Sequence, residues 1–421
     1  MLVKFSVKNF RSFRNEQVLS LEAGRQAIGK MGRTFDSGVR AIPRLLRGAV
    51  IYGANSGGKT NLIRAMDFFH DFVVDSAKGS PSDKIDVDSY RLDLESRDKP
   101  SHFEMVFVVN NTVFQYGFSL DRVRIHSELL FETPAEGRIR HIFNREYSED
   151  QDEYDWYINP RLKGEKKLWQ ESTRHNALFL STSVQLNSKE LSEPFEWISE
   201  KFRVLLGTHF TSEQYTAHVC QAHDQKASVL DMLQSVDVGV CDIDIIEREF
   251  DEKSIPKDMP DELRSEVLKR FKGQTLYSTD LLRKSNDGSL VKFSLDDEST
   301  GTNILFSLAG PWLDTLCNGY TLVIDELDSG LHPLALRALI NMFFDPRVNT
   351  SNAQLIITCH EATLLQEEML RSDQVWFIDK TEAHGSRLYP LAEFKPRKSE
   401  SYLRGYLGGR YGGIPLARAS H

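Results

Sequence analysis

The chain has 421 residues, 40% of them hydrophobic and 27% charged, and its 52 basic and 61 acidic side chains leave a net charge of −9. This length and apolar content suit one large α/β domain with an insertion, or two to three domains. The acidic balance argues against a protein that coats nucleic acid with its whole surface, although a local basic groove stays open. Cys220, Cys241, Cys317 and Cys359 show no CxxC spacing and no paired histidines, which argues against a disulfide frame or zinc site and suits a reducing cytosol.

The opening residues alternate apolar and polar through Val3, Phe5 and Val7, predicting a strand and not a signal peptide, with a return strand through Val18 or Leu19 and Leu21. The uncharged run Ser299 to Leu313 holds Asn303, two glycines and a proline and is too short to span a bilayer. The expectation is a soluble cytoplasmic protein without membrane contact. Gly48 to Tyr52 predicts a short buried strand, and Thr60 to Asp71 a helix with Leu62, Ile63, Met66 and Phe69 on one face. Alternating strands follow at Phe103–Phe107 and Val113–Phe118, completing an N-terminal lobe over 1–135.

From 136 to 285 the chain grows richer in charge, with an acidic loop from Glu146 to Asp155 and helical candidates near 162–172, 194–206, 225–236 and 260–272. A mainly helical inserted arm or lid is expected there, without the sustained heptads of a long coiled coil. Strand–helix alternation resumes over 286–396: a strand at Leu290–Leu295, a helix after Ser299, a strand at 320–324, a helix after Pro333, and strands at 354–358 and Val375–Ile378. This returning pattern predicts a parallel sheet completed by the two ends of the chain, with 397–421 left as a tail.

Gly53-Ala54-Asn55-Ser56-Gly57-Gly58-Lys59-Thr60 fits GxxxxGK[ST] between a buried strand and a helix. Glycines let backbone N–H groups close around phosphates at the positive end of a helix dipole. Lys59 would pair with the β and γ phosphates of ATP, and the Thr60 hydroxyl would ligate Mg²⁺. Asp325-Glu326 follows the apolar run Leu322-Val323-Ile324; Asp325 would hold Mg²⁺, and Glu326 would orient or deprotonate the attacking water. Gly53, Asn55, Ser56, Gly57, Gly58, Lys59, Thr60 and Asn61 are the expected phosphate-side residues.

Ser299-Thr300-Gly301, ahead of an apolar helix and before the Asp325 strand, resembles the signature motif of ABC-type ATPases; a Ser hydroxyl, a Gly backbone and a helix N-terminus can form a second anion site. In that family Asp328 and Ser329 would form the D-loop at a dimer interface, and His360 would be the switch histidine that senses the γ-phosphate. His332 before Pro333 reads equally as packing. Asn9-Phe10-Arg11-Ser12-Phe13 resembles the first-strand element of recombination-type ABC ATPases, where the arginine lies near the nucleotide; a solvated turn is the alternative. Gln115 is one candidate for the lobe-connecting glutamine, though its alternating strand favours a structural role.

Together these motifs look like the recombination and chromosome-maintenance branch of ABC-type ATPases, with an α/β head. More narrowly they are similar to the bacterial ATPases of phage-defence operons, the RloA, AbiLi and AriA group. Ser101-His102-Phe103-Glu104, Asp373-Gln374-Val375-Trp376-Phe377 and Gly409-Arg410-Tyr411-Gly412-Gly413-Ile414-Pro415 carry the narrower likeness. Cys359 departs from the Thr usual before the switch histidine, and OLD-type relatives fuse a Toprim nuclease where this chain has only a short tail without a DxD pair. The resemblance implies an ATPase working across a head-to-tail dimer or higher oligomer, and a sensor that controls a separate toxic effector, a Toprim-like or other nuclease encoded nearby, until a phage trigger arrives. The rival expectation is a RecF-like repair ATPase that binds DNA.

Overall fold

A computed structural model describes residues 1–25, 32–207, 213–222, 225–236, 238–249, 275–366, 369–381, 384–397 and 400–414, which fall into two units. The first comprises Met1–Gly207, Thr315–Asp328 and Ile340–His421, the second Thr208–Asp314 and Ser329–Leu339.

In the first unit, β1 (Leu2–Lys8) and β2 (Gln17–Ser20) pair antiparallel, as the apolar alternation predicts. A short hairpin, β3 (Thr34–Val39) and β4 (Ile42–Leu46), leads into β5 (Gly48–Gly53), every residue of which is buried. Then come β6 (Ser101–Val109), β7 (Thr112–Leu120), β8 (Ile125–Pro134), β9 (Arg140–Ser148) and β10 (Glu153–Ile158). They build an antiparallel sheet in the order β10-β9-β8-β7-β6-β1-β2.

A second sheet gathers distant parts of the chain. β11 (Phe202–Leu205), β15 (Thr321–Ile324), β16 (Gln354–Thr358), β5 and β17 (Val375–Lys380) are parallel, and β18 (Ser386–Pro390) closes the edge antiparallel to β17. Continuous apolar runs such as Thr321–Ile324, buried throughout, suit parallel strands covered on both faces. The helix Lys59–Asp75 buries Leu62, Ile63, Ala65, Met66, Phe69 and Val73. Phe69 meets Phe5 of one sheet edge-on at 5.9 Å and stacks on Phe118 at 5.2 Å, while Ile51, Val323 and Ile356 of the other sheet share the same core.

The region expected to be a helical arm divides differently. β9 and β10 extend the antiparallel sheet, because the Glu153–Ile158 strand alternates exposed residues with half-buried Tyr154, Trp156 and Ile158. The acidic loop is the hairpin turn between them, with Asp152 at φ 54°. The helix expected at 194–206 stops at Lys201, where β11 begins and pairs with β15. Helices do form at Lys166–Ser172 and Lys226–Ser235. The candidate at 260–272 lies outside the described residues.

The second unit holds the helices Glu213–Ala222 and Lys226–Ser235 and an antiparallel sheet of β12 (Asp242–Glu249), β13 (Thr275–Lys284) and β14 (Leu290–Ser294). β14 is the strand expected at 290–295, but it joins this small sheet and not the parallel one. Gln214 ties helix to sheet by exchanging hydrogen bonds of 2.7 and 2.8 Å with the Tyr277 backbone.

One buried charge pair anchors the first unit. Glu128 and Arg145 are both fully buried, with Arg145 Nε donating to Glu128 Oε2 at 3.0 Å. Glu128 also accepts from the Tyr116 hydroxyl and from the backbone N–H groups of Phe179 and Leu180, so β8 and β9 are bolted to the helix Phe179–Gln185. Arg145→Met leaves that carboxylate buried without its counter-charge, and is expected to lower the unfolding free energy by about 3–5 kcal/mol. Urea denaturation checks this; a loss under about 1 kcal/mol would show that the neutral donors suffice.

Candidate nucleotide site

Three parallel strand ends come together. β5 lies between β16 and β17 with Ile51 opposite Thr358 and Trp376, and β15 lies beside β16 with Ile324 opposite Ile357. The residues that follow β5, β15 and β16 are therefore the phosphate loop, Asp325-Glu326 and Cys359-His360. Residues Ala54 to Asn61 line a cavity of about 620 Å³ together with Arg64, Glu326 and His360.

The loop turns back through Ser56 at φ 64° and Gly58 at φ 116°, left-handed conformations that glycine adopts readily. Gly57 N–H donates to Ala54 O at 2.9 Å. Gly58 then caps the helix Lys59–Asp75, whose first N–H groups are free for an anion. Lys59 is only 5% exposed and donates from Nζ to Gly53 O at 2.7 Å and Ala54 O at 3.3 Å. Burial pushes its ammonium below the usual lysine range, while Glu326, Asp325 and Asp328 oppose that shift. Gly53 itself stays outside the cavity lining and serves through its carbonyl.

The carboxylates are organised by one hydroxyl. Thr358 Oγ1 donates to Asp325 Oδ1 at 2.5 Å and accepts from the Glu326 N–H at 2.7 Å. Asp325 is buried, whereas Glu326 sits at φ 51° with its side chain half exposed at 51%. Strain of this kind, about 1–3 kcal/mol, is typically held where a side chain must be aimed. Glu326 Oε1 lies 3.9 Å from His360 Nε2, and the His360 N–H donates to Asp328 Oδ2 at 2.9 Å. Cys359 is buried, its thiol pushed up by burial and by Asp328, and it closes a local turn with Glu361. His360 thus keeps its place despite that departure.

Thr60 and Asp325 offer hard oxygen donors of the kind Mg²⁺ takes while keeping several waters. Asp325, Glu326 and Asp328 all act on the buried Lys59 ammonium, a grouping of acids that suits a divalent cation. Among the described residues no cluster of three or more His, Cys, Asp or Glu side chains is placed to hold a metal unaided.

Other expected site residues lie elsewhere. Arg11, at φ 49°, pairs with Asp88 at 3.3 Å and lines a neighbouring cavity of about 440 Å³ with Phe10, Asp67 and Phe68. Arg64 borders both cavities and was not singled out from sequence, since a lone arginine on a helix carries no motif. Asn61 does line the nucleotide cavity, with its amide turned to Ser12 Oγ at 2.9 Å. Gln115 donates to Glu104 across the β6–β7 pair at 2.9 Å.

Ser299 and Gly301 belong to the second unit, as do Ser329, Gly330 and His332. Ser299 Oγ accepts from the Thr302 N–H at 3.2 Å at the start of the helix Thr300–Asn318, and a Cβ on Gly301 would stand 3.1 Å from Gly330 O. His332 Nδ1 accepts from the Leu334 N–H at 3.2 Å and so caps the helix Pro333–Phe344, a structural use.

The family model described as "AAA domain, putative AbiEii toxin, Type IV TA system" matches residues 49–366. Among solved structures the chain is similar to the recombination mediator protein RecF-ATPrS of the RecFOR pathway, with 12% identity over 92% of this chain and 98% of that one and a TM-score of 0.31. It is also similar to RecF-ATP of the same pathway, with 14% identity over 92% and 97% of the two chains and a TM-score of 0.30. No curated protein matches.

Thr358→Val keeps the side-chain shape but frees the Asp325 carboxylate and orphans the Glu326 N–H. Divalent-dependent nucleotide turnover is expected to fall by about 10- to 100-fold with the fold retained by circular dichroism. Turnover within twofold of the parent would remove Thr358 as the organiser of the pair.

Proposed function

The chain belongs to the AAA-domain family that carries the AbiEii toxin description, and we propose that it is an ATP-hydrolysing sensor of a two-component antiphage system that controls a separate toxic effector. Its ATPase character rests on the family and on one observation above the others. The phosphate loop, Glu326 and His360 line a single cavity.

Within that cavity each residue has a distinct task. Loop N–H groups and Lys59 would bind the phosphates, and Arg64 lines the same cavity. Mg²⁺, held by Thr60 and Asp325, would neutralise charge building on the transferred phosphoryl group. Glu326 takes the proton of the attacking water or orients it. His360, 3.9 Å from Glu326, would sense the state of the γ-phosphate.

Ser299, Gly301 and Asp328 would act on the nucleotide of a second copy in a head-to-tail dimer or larger ring. ATP then becomes the glue of the assembly, and hydrolysis its release. The toxin–antitoxin wording of the family supports a partner protein, and a nuclease is the effector class we favour. The described tail commits Tyr406 and Tyr411 to its own chain, which leaves the second unit as the surface we assign to effector and phage trigger.

Glu326→Gln is expected to retain ATP while phosphate release drops by about 10²- to 10⁴-fold, measured by filter retention and a phosphate assay. Unchanged release would take the base role from Glu326. The purified chain with divalent metal is expected to leave DNA and RNA intact; degradation would sink the separate effector. DNA binding that ATP stimulates and salt abolishes would favour the repair reading instead.

A further inference from the structure

The phosphate loop is gripped from outside by Ser386, which no motif contains, together with Ser12 and Asn61. Ser386, at the first position of β18 and only 4% exposed, donates from Oγ to Gly57 O at 2.6 Å. Its own N–H donates to Ser12 O at 2.7 Å, and Ser12 Oγ accepts from Asn61 Nδ2 at 2.9 Å. A Cβ added to Gly58 would run into Ser386 Oγ and stand 2.9 Å from Ser12 Oγ. The turn after β1, the first turn of the loop helix and the β17–β18 hairpin thus converge on one peptide unit.

That unit is the Gly57–Gly58 peptide. A trans peptide is planar, so its C=O and the following N–H point in opposite directions. A hydroxyl that fixes the Gly57 carbonyl on the outer side turns the Gly58 N–H to the inner side, where Gly57 and Gly58 line the cavity. Glycine on both sides of the bond leaves little else to hold that orientation.

We propose that Ser386 is a positioning residue for the nucleotide phosphates, braced by Ser12 and Asn61, and that it acts by presetting the Gly58 N–H. This rests on the ATP reading of the cavity. Without the hydroxyl the Gly57 carbonyl is left buried and unpaired, and the loop escapes that cost by rotating the peptide away from its binding orientation.

The test is nucleotide affinity by isothermal titration, with parent protein, Ser386→Ala, Ser386→Thr and Ser386→Cys. Ser386→Ala is expected to bind ATP and ADP about tenfold more weakly, with KM raised and kcat for bound ATP changed less. Ser386→Thr, which keeps the hydroxyl, should restore affinity, and the weaker donor in Ser386→Cys should fall between. Parent protein that binds no ATP would overturn the ATP reading itself. Parent binding with undiminished Ser386→Ala affinity would overturn only the positioning role, as would equal losses in the Ala and Thr variants. If Ser386→Ala fails to fold, the Thr and Cys pair decides: weaker binding by Cys supports the role, and equal binding overturns it.

Discussion

Everything in the first unit hangs on the pairing of β5. This strand is buried at every residue, and its neighbours, β16 and β17, arrive some three hundred positions later in the chain. A parallel strand cannot reach its partner by a tight turn, so each neighbour needs a crossover. β15 lies parallel on the far side of β16, so the ends of β5, β16 and β15 point the same way. A loop that binds phosphates, a carboxylate pair and a histidine become neighbours because the sheet allows no other exit for them. The chemistry is a consequence of register.

Buried polar groups do the remaining alignment, and they do so in pairs with divided duties. Thr358 spends its proton on Asp325 and its lone pair on the Glu326 amide, which fixes two acids with one side chain. Gln354, one turn of sheet earlier, accepts from Leu2 N–H and donates to the carbonyls of Leu2 and Leu46, stitching β16 to the start of β1. Each group is fully satisfied where it is buried, the condition under which a polar contact adds specificity at no net cost.

Legibility from sequence followed the range of the interactions involved. The loop, Asp325-Glu326 and His360 could be read because short motifs impose local geometry: a strand, a turn and a helix within a dozen residues. β9 and β10 escaped because charge in Glu146–Asp155 masked an alternation that becomes decisive only once Glu128 and Arg145 pair inside the sheet. β11 escaped because Phe202–Leu205 continues a helical run, and only its partner β15 makes it a strand. Arg11, expected near the nucleotide or in a solvated turn, sits in a left-handed turn that Asn9 pins through Ser96 O and Lys99 O, and pairs with Asp88. Ser386 carried no signal at all, since a serine matters there only because Gly57 lies opposite.

The C-terminal motif acquires a physical meaning from the same contacts. Tyr406 packs on Tyr52 and Phe377 with ring centroids 5.5 Å away in each case, and the Gly413 N–H donates to Asp379 Oδ2 at 3.1 Å. Gly413, at φ +67°, packs beside the loop entry, where a Cβ on it would stand in van der Waals contact with Gly53 Cα at 3.6 Å. Gly53 is the residue whose carbonyl holds Lys59 Nζ. The loop is therefore clamped at its entry by the tail and at its far end by Ser386, so both grips come from residues after β16. Tyr406 and Gly413 thus stand behind the phosphate loop, outside the cavity lining.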